Sequence, residues 1–176
     1  MSESTEYPAI FAIPASFIGT WARLTPGELH YGYANRWISS ADVVELALGC
    51  VVPADSKMES VEDISLLLSD ELDRLPDLMD RLVDRDDRVW TYLALAWVHE
   101  NQAEFDDPFG TVDLIFADFG YPHDVGDFVT FMPPSSGGVA GYPGLRERWW
   151  KYLEEKRSEF LVARTCNADK GSREDS

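Results

Sequence analysis

The sequence predicts an all-α protein, a single compact domain of about seven helices closed by a long amphipathic C-terminal helix. Three observations carry that prediction. Helix caps and stops recur along the chain, whereas the apolar–polar alternation of strands is scarce. Hydrophobic residues make up 45% and aromatics 12% of the 176 positions, enough apolar bulk to close a core without a second domain. No repeat of solenoid period divides the chain. The expected organisation is one helical domain over 1–164 and a disordered polar tail over 165–176.

Thr25, Pro26 and Glu28 form a capping box with proline at the first helical position, opening a helix expected to reach about Trp37. Ser39 or Ser40 caps the next, ADVVELALGCVV, with Val43, Val44, Ala47 and Val51 on one face. The pattern breaks at 53–57 and resumes in helical segments over about 59–72 and 75–83. Asp86 or Asp87 then caps RVWTYLALAWVHENQAEF, which is apolar or aromatic on nearly every side over 89–98, the mark of a helix packed all round.

Asp107 is the natural cap of the following helix, with Pro108 first inside it. Phe109, Val112, Ile115, Phe116 and Phe119 share its apolar face, Gly120 sits at the C-terminal glycine position, and Pro122 stops any continuation. A short helical segment is expected around 127–132 and a flexible connector over PPSSGGVAGYPG at 133–144. The last helix, LRERWWKYLEEKRSEFLV, carries Leu145, Trp149, Tyr152, Leu153 and Phe160 as its stripe. Adjacent Trp149 and Trp150 point about 100° apart. The first is expected in the core, the second at the edge, covering a neighbouring helix.

Charge narrows the function. A formal net charge of −17 repels phosphate backbones and anionic membranes and attracts basic partners, so neither nucleic acid nor membrane is expected as a partner. The distribution is uneven. Between Arg88 and Arg146 there is no lysine or arginine, while Glu100, Glu104, Asp106, Asp107, Asp113, Asp118, Asp124 and Asp127 all fall there. Residues 145–157, in contrast, hold Arg146, Arg148, Lys151, Lys156 and Arg157. A C-terminal helix packed beside the acidic segment would offset part of its charge. Cys50 and Cys166 form no CxxC pair, and MSESTEYPAIFAIPASFIG lacks the positive leader of a signal peptide, so a cytoplasmic protein is expected.

No catalytic constellation emerges. Asp113 and Asp118 lie five residues apart, roughly 140° around a helix, and cannot jointly hold one ion. His99 and Glu100 begin an HExxH zinc motif, but Ala103 stands where the second histidine belongs, so His99 reads as a hydrogen-bonded, partly buried side chain. His30 and His123 have no ligand spacing. SSGGVAGYPG lacks the lysine and strand–helix setting of a phosphate cradle, and no GxSxG elbow exists. The expectation is therefore no catalytic residue, no metal and no cofactor. Asp106, Asp113, Asp118, Asp124 and Asp127 are the candidates for binding a partner.

Two stretches, ELHYGYANRWISSADVVELA at 28–47 and YLALAWVHENQAEFDDPFGTVDLIFADFGYP running into HDVGDFVTFMP at 92–133, resemble an uncharacterised bacterial family, domain of unknown function 2247. The ordered elements YGY, WIS, LAW, the ENQ–DDP step, ADF-YP and MP carry the resemblance. No catalytic residue is carried over from it. Small acidic families of this kind resemble immunity proteins, which bind and block a cognate toxin, an analogy of class rather than of site. The first expectation is a non-enzymatic acidic binding protein, an immunity-type inhibitor of a basic bacterial toxin. The alternatives are a structural or adaptor subunit using its aromatic surface, and an enzyme with a carboxylate-lined site.

Overall fold

A computed structural model describes residues 12–51, 58–82, 88–133 and 137–166. Among these there are eight α-helices and no strand: α1 (Ala15–Trp21), α2 (Pro26–Ala34), α3 (Ser40–Ala47), α4 (Met58–Ser65), α5 (Leu75–Met79), α6 (Arg88–Glu100), α7 (Pro108–Asp118) and α8 (Gly141–Arg157). No described helix is long and apolar enough to cross a membrane. The break at 53–57, the cap at Asp86 or Asp87, and the expected end of the 75–83 segment lie outside the described residues.

Capping chemistry shapes the first three helices. In the box that opens α2, the Glu28 amide donates to Thr25 Oγ1 at 3.3 Å, and the Thr25 amide donates to Glu28 Oε2 at 2.8 Å. Ser39 and Asp42 repeat the arrangement at α3. Asp42 does more: its Oδ1 accepts the Ala15 amide at 3.1 Å and so caps α1 from 27 residues away. Burial alone would raise the Asp42 pKa, but the hydrogen bonds from Ser39 and Ala15 outweigh it and hold the carboxyl below its ordinary value. Helix α1 was not expected, because its cap is tertiary.

Helices α2 and α3 end earlier than the apolar pattern predicts. The Arg36 backbone is left-handed at φ 60°, the Trp37 amide returns to the Gly32 carbonyl at 2.9 Å, and Arg36 bonds Tyr33. This is a Schellman closure without glycine. It ends α2 at Ala34 and turns Trp37 into the core against Trp90, with ring centroids 5.4 Å apart. Helix α3 stops at Ala47, and the Val51 amide bonds the Leu24 carbonyl at 2.8 Å. Val51 therefore lies off the expected Val43–Ala47 face. The 59–72 segment likewise divides into α4, a turn, and a single 3-10 turn before α5.

Helix α6 is the axis of the fold. Val89 through Ala96 and Val98 are buried, and α1, α2, α7 and α8 pack around it. Its polar atoms are used: Trp90 Nε1 donates to the Glu28 carbonyl at 2.8 Å and Tyr92 Oη to the Trp21 carbonyl at 2.9 Å. Gly32 lets Trp90 approach, since a Cβ there would stand 2.1 Å from the indole. Trp149, Tyr152 and Leu153 of α8 close the other side, while Trp150 lies 44% exposed with its ring 5.3 Å from His99.

The C-terminal helix departs from expectation at both ends. It starts at Gly141 rather than after Gly144, so part of the expected connector is its first turn. After Arg157 a π-helical turn over Ser158–Ala163 widens the backbone, and helical geometry continues through Cys166, past the expected boundary at 164; residues beyond 166 lie outside the described set. Within the widened turn the Phe160 carbonyl accepts the Arg23 amide at 2.9 Å. Arg164 then meets Glu28 in a two-pronged pair of 2.7 and 2.9 Å, with Glu28 only 1% exposed. One carboxylate thus caps α2 and anchors the helical segment that holds Arg164.

Candidate functional site

The acidic segment is built on α7. Asp107 accepts the Gly110 amide at 2.9 Å, Pro108 occupies the first position, and Phe109, Val112, Ile115 and Phe116 are buried. The C-terminus closes as a full Schellman motif: the Tyr121 amide bonds the Phe116 carbonyl at 2.8 Å and the Gly120 amide bonds Ala117 at 3.2 Å. Its accompanying apolar contact is the Tyr121 ring on Phe116, 5.2 Å between centroids. Gly120 takes φ 74° at no steric cost, but Tyr121 also takes φ 61°, a strained conformation for an aromatic residue.

The chain then folds back over α7. Val125, Phe128 and Val129 are buried, and Phe128 stacks on Trp149. The helix expected over 127–132 is a single 3-10 turn at Gly126–Phe128, followed by extended backbone at Val129. The reason is tertiary. Asp113 Oδ1 accepts the Thr130 amide at 2.9 Å, and Oδ2 accepts the Thr130 hydroxyl, so that amide has a partner on α7 in place of a helical carbonyl. Pinned there, Phe131 reaches Phe116 at 5.9 Å while remaining 61% exposed. Phe116, Tyr121, His123, Asp127, Phe131 and Met132 frame a cleft of about 400 Å³.

Helix α8 does pack beside this segment. Lys156 Nζ lies 3.1 Å from Asp124 and 3.3 Å from Glu159, and Arg148 Nε donates to the Asp127 carbonyl at 2.6 Å. Burial would lower the Lys156 pKa, but Asp124 and Glu159 outweigh it and hold it above its ordinary value. A second, charged cleft of about 370 Å³ lies between Asp124, Asp127, Arg148, Lys151 and Lys156.

The five candidate acids therefore have different fates. Asp124 is paired, Asp113 is committed to Thr130, and Asp127 stands on both clefts. Asp106 and Asp118 are exposed, separated by the 11 residues of α7, about 16 Å at 1.5 Å per residue. The structure gathers Asp124 and Asp127 and keeps Asp106 apart. Thr130, Phe131 and Met132 were missed by sequence reading, because 127–132 read as helix and exposed aromatics carry no motif.

His99 and Cys50 lie apart from both clefts. His99 Nδ1 lies 3.1 Å from Glu100, with the ring edge-on to Trp149 at 5.1 Å, a partly buried and hydrogen-bonded histidine as expected. Burial, with the nearby Glu28 charge, pushes the Cys50 thiol up to about 12, so it is protonated at neutral pH and a poor nucleophile. Among the described residues no three His, Cys, Asp or Glu side chains gather as metal ligands would. No curated protein and no solved structure matches the chain. A family described as "uncharacterized protein conserved in bacteria" matches residues 15–157, from the start of α1 to the end of α8. The chain therefore belongs to that bacterial family, DUF2247.

Proposed function

We propose that the protein is a non-enzymatic acidic binding protein whose negative surface along α7 and its following loop holds a basic protein partner. The observation that supports this most is a division of labour among carboxylates. The stretch between Arg88 and Arg146 contributes no lysine or arginine, α8 neutralises Asp124, and Asp106 and Asp118 stay exposed at the two ends of α7. A surface of that sign, on a chain of net charge −17, accelerates encounter with a basic protein. Asp106 and Asp118, about 16 Å apart along α7, favour a surface role over a shared acid–base pair, whose carboxylates lie within about 10 Å of each other. In its specific form the partner is a basic toxin domain, such as a nuclease, held as an immunity protein holds its toxin. That form rests on analogy of class, the chain being small, acidic and from a bacterial family. The adaptor reading draws on the exposed apolar residues Leu114, Tyr121 and Phe131.

The test starts from capture of the partner from the encoding bacterium with the full chain as bait. Association rates are then measured from low to high salt for the wild type and for Asp106→Asn with Asp118→Asn. The rate should fall with salt, and the double variant should associate several-fold more slowly at low salt with a shallower salt dependence. An unchanged low-salt rate, or a partner that is itself acidic, sinks the proposal.

A further inference from the structure

Resting on that reading, we propose that the cleft between the C-terminal end of α7 and the 126–133 loop is the docking site for a partner segment that presents one apolar side chain flanked by lysine or arginine. The cleft is a built feature rather than scattered surface. Tyr121, Phe131 and Met132 line one cleft while remaining exposed at 63%, 61% and 43%. Isolated exposed apolar residues are ordinary, but a contiguous set marks an interaction surface. Each wall is held open by a specific bond. Asp113 ties down Thr130 and so presents Phe131, while the Schellman closure and the strained Tyr121 backbone present the opposite ring. Strain of that kind persists only where the surrounding structure enforces it, and it concentrates at functional sites.

Volume and charge choose the occupant. About 400 Å³ admits one or two side chains, the scale of an anchor residue seated in an interface pocket, and Met132 can adapt its shape to the guest. No lysine or arginine lines the cleft, Asp127 borders it, and exposed Asp118 closes the helix that supplies one wall. An apolar anchor beside basic residues satisfies both features. A second copy of this chain does not, since it would bring a further −17 against the same surface.

The experiment is an amide-resolved NMR titration of the full chain with three peptides: Lys-Lys-Leu-Lys-Lys, Lys-Lys-Ala-Lys-Lys and Glu-Glu-Leu-Glu-Glu. The first should shift the amides of Gly120, Tyr121, Gly126 and Phe131 saturably, the second should bind about tenfold more weakly, and the third should leave them unmoved. Phe131→Ala and Met132→Ala, both at exposed positions that leave the core intact, should each weaken the first peptide several-fold. If the basic peptides shift only the amides around Asp106, at the opposite end of α7, the docking site is wrong while the acidic binding function stands. Binding of no basic peptide anywhere counts against both. Equal binding of the acidic peptide, or self-association that Phe131→Ala abolishes, overturns the proposed occupant in favour of a purely apolar ligand or a second copy.

Discussion

Glu28 and the acids of the α7 region carry the same functional group and do opposite things with it. Glu28 is 1% exposed, and its two oxygens accept the Thr25 amide and both terminal nitrogens of Arg164. Both oxygens of that carboxylate are partnered from within the chain itself. Asp106 and Asp118 stand in solvent at the ends of α7. A buried charge must be paired because desolvation is expensive, whereas an exposed one is solvated and remains available to a newcomer. Between these extremes sit Asp113, spent on Thr130, and Asp124, spent on Lys156. Negative charge alone does not identify a binding surface; what each carboxylate already holds does.

Substitutions that strip charge without changing shape can break or sharpen this contrast. Glu28→Gln retains a capping side chain but leaves Arg164 without its carboxylate, and should cost about 2–3 kcal/mol in urea denaturation, below the full range for a buried pair because Arg164 is 18% exposed. Adding Arg164→Met should recover part of that loss; a single-variant cost under about 0.5 kcal/mol would show the pair to be solvent-screened. Asp113→Asn retains one acceptor for Thr130 and loses the charge, so a smaller loss of about 1 kcal/mol is expected. Asp106→Asn combined with Asp118→Asn should leave stability within about 0.5 kcal/mol of wild type. A large loss in that last variant would mean that these acids, too, are structural, and the contrast with Glu28 would collapse.

Much of the fold was legible in short-range signals. The Thr25–Glu28 box, the Ser39 cap read with Ser40 as its alternative, the Asp107–Pro108 start and the Gly120 stop all form, because each is a bond between residues three to five apart. Three departures from the expected elements stand beside them. Helix α1 is capped by Asp42, α2 is closed by a left-handed arginine in place of glycine, and 127–132 is held out of helix by Asp113. In two of these three cases the deciding partner lies many residues away. The candidate site divides along the same line: its acids were visible in composition, its apolar cleft was not.

By itself, then, the amino-acid order determined the helical class, most helix starts, the apolar axis at α6 and the asymmetry of charge, since caps, periodicity and composition act within a few residues of one another. Only the tertiary structure decided which of those charges remain available. Lys156 meets Asp124, Thr130 meets Asp113 and Arg164 meets Glu28 across 32, 17 and 136 residues, respectively. Such partners are chosen by packing around α6, and no local propensity encodes them. With Asp113 and Asp124 so engaged, Asp106 and Asp118 stay in solvent, and the cleft framed by Tyr121, Phe131 and Met132 stands open beside Asp127.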